Sequence, residues 1–272
     1  MSSESPEKSS SPAPANSPDS TAEAAPAPAI PKRILAIDIG GTKIKVLVSG
    51  ETEPRKLPSG KQMTPSLMVQ GIKELAGDWS YDAVSIGYPG LVGNHGPRSE
   101  PGNLGSGWVG FDFAAAFGCP ARIINDAAMQ ALGSYDGGRM LFLGLGTGLG
   151  SALIAEHVIV TLELGNLVHG AGKTLGELLG RKGLATLGKK AWRELIAETV
   201  HALSHAFVTD YVVLGGGNSK QIKDLPQGAR IGHNLTAFRG GFRLWHVDDV
   251  PTLSAGDDAP HTNAPTPDWR LI

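Results

Sequence analysis

The sequence predicts an α/β fold with ligands bound at one edge of a sheet. Apolar runs typical of buried strands alternate with helix-like stretches, and glycine-rich turns lie just beyond the ends of those strands. In α/β proteins, ligands bind beyond the carboxyl ends of the strands. Roughly 210 to 220 residues have the composition of a folded core, enough for two small lobes or one large domain.

Strand and helix patterns run through the whole of this core. Apolar runs predict strands at 33–38, 43–48, 82–87, 121–124, 140–145, 151–155 and 211–214. Helical periodicity predicts helices at 66–76, 127–132 and 192–207. Gly133 is expected to end the second helix, and Asn125 and Asp126 stand at its strand-to-helix junction.

Composition and charge exclude several classes of protein. The chain has 272 residues and a net charge of −2, which gives no reason to expect nucleic acid or an anionic membrane as a partner. No apolar stretch is long enough to span a bilayer and the start lacks a secretory signal, so we expect a cytoplasmic protein. The single cysteine, Cys119, rules out an internal disulfide and a Cys-based zinc cluster.

Both ends of the chain are expected to be tails. Residues 1–30 are rich in Ser, Pro and Ala and should be disordered. Residues 247–272 are rich in Pro and Asp, with Trp269, Leu271 and Ile272 as the only candidate anchors. Such segments bury too little apolar surface to offset the entropy lost on ordering.

The turn between the first two strands carries the groups that a phosphate-binding hairpin needs. Gly40 and Gly41 let backbone N–H groups approach an anion, and Thr42 and Lys43 add a hydroxyl and an amine. Asp38 would be repelled by phosphates unless a cation lay between them, which predicts that it reaches Mg²⁺ directly or through water. An ordinary hairpin turn is the alternative. The pattern fits neither a Walker loop nor a dinucleotide fingerprint, because the next element is a strand.

The segment 38–43 resembles the first phosphate motif of the ROK family, a bacterial branch of the hexokinase and actin-like superfamily. This resemblance implies a two-lobed actin-like ATPase fold, also called ribonuclease H-like, with the active site in the cleft between the lobes. On that basis we expect lobes at 31–124 and 125–246. The resemblance covers about residues 34–245 and implies a soluble sugar kinase.

Asp126 is the candidate catalytic residue. Asn125-Asp126-Ala127 resembles the family segment whose aspartate takes the proton from the attacking sugar hydroxyl, so the resemblance makes Asp126 the general base. A carboxylate at a helix start is also a common cap, and that is the alternative.

Two later glycine-rich turns resemble the donor-side motifs of the family. The turn at 144–150 resembles the second phosphate turn, with Gly146, Thr147 and Gly148 as phosphate ligands. A further turn resembles the nucleotide-side turn and is formed by Gly215, Gly216, Gly217 and Asn218. A plain turn after a strand is the alternative for the second of these.

The resemblance also implies a set of sugar-binding residues. These are Asn103, Asn125, Asp126, Glu163, Asn166 and Glu177. Asn166 departs from the family pattern, which has histidine there, and an amide cannot take a proton as imidazole does. For Glu177 the alternative is a solvated helix residue.

Many family members place a cysteine-rich zinc site after that histidine, and no structural zinc is expected here. The absence of these cysteines and the short chain look most like the polyphosphate glucokinase branch. Positive charge is concentrated beside the expected donor side, at Arg181, Lys182, Lys189, Lys190 and Arg193. A polyphosphate chain would be attracted to such a stripe, although a solvated helix start explains it equally well.

The resemblance therefore implies a kinase that transfers a phosphoryl group from polyphosphate or ATP to the 6-hydroxyl of glucose. Its expected partners are a hexose, the phosphoryl donor and Mg²⁺, and a homodimer stays open. The alternatives are a sugar-binding ROK-type regulator, a catalytically weakened kinase homologue because of Asn166, and a filament-forming actin-like protein. The small size and the sugar-side residues Asn103 and Glu163 disfavour the filament.

Overall fold

The computed structural model describes residues 31, 33–233, 235–246 and 269–272. The expected tail at 1–30 and most of the one at 247–272 lie outside the described residues. The strands are β1 (Ile34–Ile39), β2 (Lys43–Val48), β3 (Arg55–Pro58), β4 (Ala83–Tyr88), β5 (Val92–Gly93), β6 (Gly96–Pro97), β7 (Ala121–Asn125), β8 (Arg139–Leu145), β9 (Leu149–Ala155), β10 (Val158–Leu162), β11 (Val168–His169), β12 (Lys173–Thr174), β13 (Tyr211–Gly215), β14 (Ala229–Ile231) and β15 (Arg270–Leu271). The α-helices are α1 (Pro65–Leu75), α2 (Phe113–Phe117), α3 (Asp126–Ser134), α4 (Leu175–Leu179), α5 (Arg181–Ala206) and α6 (Thr236–Arg243).

Two mixed sheets form the framework of the fold. The first has five strands in the order β3-β2-β1-β4-β7, with β1, β4 and β7 parallel and β2 and β3 antiparallel. The second has six strands in the order β14-β13-β8-β9-β10-β15. In both sheets an antiparallel hairpin is joined to parallel strands, so the hairpin turns of β1–β2 and β8–β9 follow the carboxyl ends of β1 and β8.

The first strand shows how one sheet serves two cores. Leu35, Ile37 and Ile39 pack on the side of α1, whereas Ile34 and Ala36 face α3 and α6. The second of these cores also takes in residues of the other sheet, including Phe142 and Ile154. Helices α3 and α6 therefore pack between the two sheets and join them through one continuous apolar cluster.

Helices α3 and α6 approach each other closely because glycines face the partner backbone. A Cβ on Gly133 would overlap the carbonyl of Thr236, and one on Gly240 would overlap the carbonyl of Met129. The expectation that Gly133 ends the helix is wrong, since α3 continues to Ser134. The glycine serves the contact between the helices.

Most of the other predicted elements are confirmed, with one clear error of length. The helix predicted at 192–207 belongs to α5, which begins eleven residues earlier at Arg181 and bends at Gly188, where φ is +75°. That bend shifts the apolar face and hides the first half of the helix from a periodicity analysis. Trp269 packs edge-to-face on Tyr135, and β15 extends the second sheet beside β10.

Candidate active site

The β1–β2 hairpin holds the first predicted phosphate turn. The Gly40 N–H donates to the Lys43 carbonyl across the turn at 3.1 Å. Gly41 lies directly against the Asn103 side-chain amide, where any Cβ would overlap it. Asp38 stands opposite Lys45 on the neighbouring strand, and the Lys45 ammonium lies 3.0 Å from the Asp38 carboxylate. The hairpin thus places one carboxylate, an amine and open backbone at one place.

Asp126 is the first residue of α3, and its neighbour Asn125 is the cap. The Asn125 Oδ1 accepts from the backbone N–H groups of Ala127 and Ala128, at 2.9 and 3.1 Å. Its Nδ2 donates to the carbonyl of Gly90 at 3.2 Å. The alternative reading of Asp126 as the cap is therefore wrong, because Asn125 fills that role, although the Ala127 N–H also donates to the Asp126 Oδ1 at 2.8 Å. The Asn125 amide is engaged with backbone on both sides, and its predicted sugar contact stays a prediction.

The environment of Asp126 favours the protonated form of its carboxyl. Its pKa is raised to about 7, first because the group is removed from water and next because the negative charge of Asp38 is near. The N–H of Ala127 partly opposes this change and the charge of Glu163 adds to it. A carboxyl with a pKa near neutrality, close to a phosphate hairpin, is suited to accept a proton from a hydroxyl.

The β8–β9 hairpin holds the second predicted phosphate turn and touches the start of α3. A Cβ on Gly150 would lie 2.9 Å from the Cβ of Ala127, so this hairpin packs directly beside Asp126. The carbonyl of Gly146 accepts from the N–H of Arg181 at 3.0 Å and from the Asn218 amide at 2.8 Å. With its carbonyl fixed in this way, the turn leaves Thr147 and Gly148 exposed.

The predicted nucleotide-side turn follows β13, which lies next to β8 with Gly215 paired to Gly144. Gly216 has φ of +78°, and a Cβ there would come within 2.5 Å of the Leu145 carbonyl. Gly217 then begins a short 3-10 helix that runs to Gln221. The structure therefore brings this turn against the second phosphate turn, and Asn218 connects the two.

The loop that carries Asn103 is fixed by buried aromatic residues and one carboxylate. Glu100 accepts from the backbone N–H groups of Trp108 and Val109, at 3.1 and 3.2 Å. Trp108 is fully buried against Tyr88, and its indole N–H donates to the Gly105 carbonyl at 2.8 Å. These contacts leave Asn103 exposed beside Gly41.

Glu163 and Asn166 lie in a 3-10 turn after β10. Ser151 holds the start of this turn by accepting from the Leu164 N–H at 3.1 Å. Both predicted sugar ligands are exposed, and partial loss of water raises the pKa of Glu163. Because the charge of Glu163 acts on Asp126, the two carboxyl groups share one site.

Glu177 forms hydrogen bonds within the protein itself. Its carboxylate accepts from the Thr174 N–H at 3.1 Å while the Thr174 hydroxyl accepts from the Glu177 N–H at 3.2 Å, which is a capping box for α4. Glu177 is also exposed on α4, which agrees with the alternative of a solvated helix residue. A role in binding sugar stays a prediction.

A cavity of about 740 Å³ lies away from these residues, along β7 from Ala121 to Asn125. Asn125 is the only predicted site residue on its wall. The two phosphate turns and Asp126 stand at the carboxyl ends of β1, β8 and β7, and Asn103 contacts Gly41 of the first turn. We therefore locate the candidate site at these strand ends and not in the cavity.

Sequence reasoning missed two contributors. Lys45 was not predicted, although strand alternation places it on the same face as Lys43 and directly across from Asp38. Glu100 was not predicted either, because its role as an anchor for the Asn103 loop depends on backbone groups that no sequence pattern reveals.

The residues that the structure describes contain no group of three His, Cys, Asp or Glu side chains arranged to hold a metal ion. Mg²⁺ needs only one or two protein carboxylates when it binds together with substrate phosphates, and its preferred ligand is oxygen. Asp38 offers such a carboxylate beside the first phosphate turn. In the part of the chain that is described, no helix has the length and hydropathy that a membrane crossing requires.

The two mixed sheets, with glycine-rich turns at the ends of their strands, have the arrangement of an actin-like ATPase fold. A profile of the ROK family matches residues 34–171, just over half of the chain, and the chain therefore belongs to the ROK family. The match includes both phosphate turns, Asp126 and Glu163. A search of curated proteins gave no match.

Solved structures show the same fold in sugar kinases and in a regulator. An inorganic polyphosphate/ATP-glucomannokinase from Arthrobacter sp. strain KM superposes with a TM-score of 0.65 and 24% identity over 77% of this chain and 96% of that one. A ROK family glucokinase from Streptomyces griseus, solved with glucose and AMPPNP, has a TM-score of 0.53 and 19% identity over 88% and 93%. A ROK family transcriptional regulator, homologous to the E. coli MLC protein, has a TM-score of 0.53 and 15% identity over 77% and 76%.

Proposed function

We propose that this ROK protein is a hexose kinase that transfers the terminal phosphoryl group of polyphosphate or ATP to the 6-hydroxyl of glucose. The observation that carries the proposal is the placement of Asp126 between two glycine hairpins, with its pKa raised to about 7. Two hairpins that only reversed the direction of the chain would not explain why a carboxyl with a pKa near neutrality lies between them. The names of the structural relatives add support for a sugar substrate.

Asp126 would act as the general base. In this role it accepts the proton of the attacking hydroxyl as the oxygen–phosphorus bond forms, and the bond to the leaving phosphate oxygen breaks. Asn125 caps α3, and the Ala127 N–H also donates to the Asp126 Oδ1 at 2.8 Å, which helps to hold the carboxyl in place. The sugar would be held by Asn103 and Glu163, with Asn125, Asn166 and Glu177 as further ligands.

The two hairpins would bind the donor. Gly40, Gly41, Thr42 and Lys43 would meet the phosphates from one sheet, and Gly146, Thr147 and Gly148 from the other. Fixed backbone dipoles of this kind stabilise the charge that develops during transfer without having to reorganise. The turn of Gly215, Gly216, Gly217 and Asn218 would line the far side of the donor. Mg²⁺, with Asp38 as its protein ligand, supplies positive charge between the phosphates when bound.

One experiment addresses both substrates. The purified protein is incubated with a panel of hexoses and either ATP or polyphosphate, and the sugar 6-phosphate product is measured. We expect product from glucose with at least one donor. The comparison of the two donors decides between polyphosphate and ATP. We expect the reaction to take place in the cytoplasm.

Asp126→Asn tests the base. Turnover should fall by about 10²- to 10⁴-fold because the amide cannot accept the proton, while calorimetry still detects hexose binding. Asp112→Asn is the matched control, since Asp112 caps α2 through its side chain and asparagine caps equally well. Unchanged turnover in Asp126→Asn would show that another group is the base.

A second candidate rests on Asn166, which stands where the family has histidine. The protein would then be a binding-only homologue or a sugar-responsive regulator. Hexose binding by calorimetry with no product from ATP or polyphosphate would favour this reading. A mobility shift of DNA at low salt would separate the regulator from the weakened kinase.

A further inference from the structure

Two histidines lie one helical turn apart near the end of α5. His201 and His205 are four residues apart, a spacing that puts both side chains on the same face of the helix. Their ring centroids are 4.3 Å apart with 53° between the ring planes, and both residues are exposed. This part of α5 buries Ile196, Val200 and Leu203 instead. Packing in the core therefore does not account for the pair.

A hydrogen bond fixes the orientation of the second ring. The His205 Nδ1 lies 2.8 Å from the backbone carbonyl oxygen of His201. Because a carbonyl oxygen accepts and never donates, Nδ1 must carry the proton, and the Nε2 of the neutral ring then holds the lone pair. Histidines that bind metals are commonly held in this way, with one ring nitrogen donating to a carbonyl and the other directed at the metal. The hydrogen bond thus prepares the His205 Nε2 as a ligand.

The charges near the pair favour a bound cation. His205 lies in the last turn of α5, where the helix dipole places partial negative charge. Glu198 is exposed three residues before His201, a spacing that places its carboxylate on the same side of the helix. Imidazole is a preferred ligand of Zn²⁺, Cu²⁺ and Ni²⁺, whereas Mg²⁺ and Ca²⁺ prefer oxygen. The pair therefore suits a transition metal.

The pair and the candidate active site lie at opposite ends of α5. The helix begins at the second phosphate turn, where the Arg181 N–H donates to the Gly146 carbonyl. It ends just before β13, which starts at Tyr211, whereas the turn at 215–218 follows the carboxyl end of that strand. A metal held by the two histidines would therefore be separate from the Mg²⁺ expected at Asp38.

We propose that His201 and His205 form a binding site for a divalent transition metal ion of the class of Ni²⁺, Cu²⁺ and Zn²⁺. Metal–nitrogen distances are about 2.0–2.1 Å for zinc, so rings that are already 4.3 Å apart need only small side-chain rotations to share one ion. Water takes the remaining coordination positions, since the described residues hold no set of three such ligands. This inference goes beyond the proposed kinase function and does not depend on it.

The test is a calorimetric titration of the full-length protein, made without a histidine tag, with Ni²⁺ in the presence of excess Mg²⁺. His201→Ala and His205→Ala each remove one ligand. The double variant His205→Ala with Ala206→His keeps two histidines but moves the second ring to another face of the helix. His95→Ala is the matched control, since His95 is an exposed histidine outside the pair.

We expect the wild type to bind Ni²⁺ at about one equivalent, and both alanine variants to bind it about 10-fold more weakly or worse, because one of two protein ligands is lost. The double variant should behave like the alanine variants, and His95→Ala should match the wild type. Electron paramagnetic resonance of the Cu²⁺-loaded wild type should show splitting from nitrogen ligands, and this splitting should weaken in both alanine variants.

Equal Ni²⁺ affinity in the wild type and in both alanine variants would overturn the inference. Wild-type affinity in the double variant would overturn it as well, because the spacing along the helix would then be irrelevant. Hexose phosphorylation with Mg²⁺-ATP or polyphosphate should be the same in His201→Ala and the wild type, so a wild type that binds Ni²⁺ but forms no product would sink the kinase proposal alone. Circular dichroism of each variant confirms that α5 is folded.

Discussion

Asp126, the proposed base, also makes the stability of the fold depend on pH. Its pKa is raised to about 7 in the folded protein, and that of an unfolded aspartate is about 3.9. Between these values the folded state binds more protons than the unfolded state, so this residue lowers stability as the pH rises from about 4 to about 7. Above pH 7 the penalty is complete, and below pH 4 it is absent.

The asparagine variant should therefore be more stable than the wild type at alkaline pH. We expect Asp126→Asn to raise the free energy of unfolding by about 1–3 kcal/mol at pH 8, a range reduced from the full shift because the residue is only partly buried. At pH 4 the two proteins should agree. Urea denaturation at both pH values measures this, and an equal difference at pH 4 and pH 8 would mean that the titration of Asp126 is not the cause.

Single residues differ in how far a sequence reveals them. The segment 38–43 was informative because glycines, a hydroxyl and a carboxylate stand next to one another, so their chemistry is local. Lys45 escaped notice because its meaning comes from register, which pairs it with Asp38 on another strand. The capping box of Glu177 is a different case, because a Thr followed three residues later by Glu is its sequence pattern and could have predicted it.

At the scale of elements, the contact between α3 and α6 depends on the absence of side chains. An alanine Cβ at Gly133 would overlap the Thr236 carbonyl, so Gly133→Ala must push the helices apart. We expect a loss of about 1–3 kcal/mol in the free energy of unfolding, as for other overpacked cores, although alanine favours isolated helices.

Urea denaturation of Gly133→Ala measures this loss, and Gly170→Ala serves as the control because its added Cβ meets nothing within 4 Å. The control should stay within about 0.5 kcal/mol of the wild type. A Gly133→Ala protein as stable as the wild type would show that the two helices separate without cost.

Elements were predictable where the apolar pattern follows one period and uncertain where packing overrides it. The strands of both hairpins are close to the predicted ranges because they are short, apolar and ended by glycine. Glycine often ends helices, which predicts a stop at Gly133, but here the neighbouring backbone of α6 requires the glycine. The bend at Gly188 concealed the first half of α5 for a similar reason, because it changes the face that the helix buries.

At the scale of the molecule, residues near the end of the described core form hydrogen bonds to the first sheet. The Ser85 hydroxyl on β4 donates to the Gly241 carbonyl at 2.6 Å and accepts from the Trp245 indole at 2.9 Å. Ser85→Ala would leave both buried groups without this partner, which should cost about 1–3 kcal/mol in the free energy of unfolding. Ser204→Ala is the control, since its hydroxyl bonds to an exposed carbonyl on α5.

Chemical denaturation compares the two serine variants. Equal stability of Ser85→Ala and the wild type would indicate that water replaces the hydroxyl. No sequence pattern predicts this tie, because its partners lie about 160 residues apart and are joined only when α6 packs on the first sheet. The expected lobe ranges, 31–124 and 125–246, stay a prediction, and α6, which falls in the second range, packs against β1 and β4 of the first sheet.

The return of α6 has a mechanical consequence. The chain passes from the first sheet to the second at Asn125–Asp126, and comes back between β14 and α6. Asp126 lies at the first of these connections. It directly follows β7 of the first sheet, and the helix that it begins packs against β8 and β9 of the second. The proposed base is therefore held by both sheets at once.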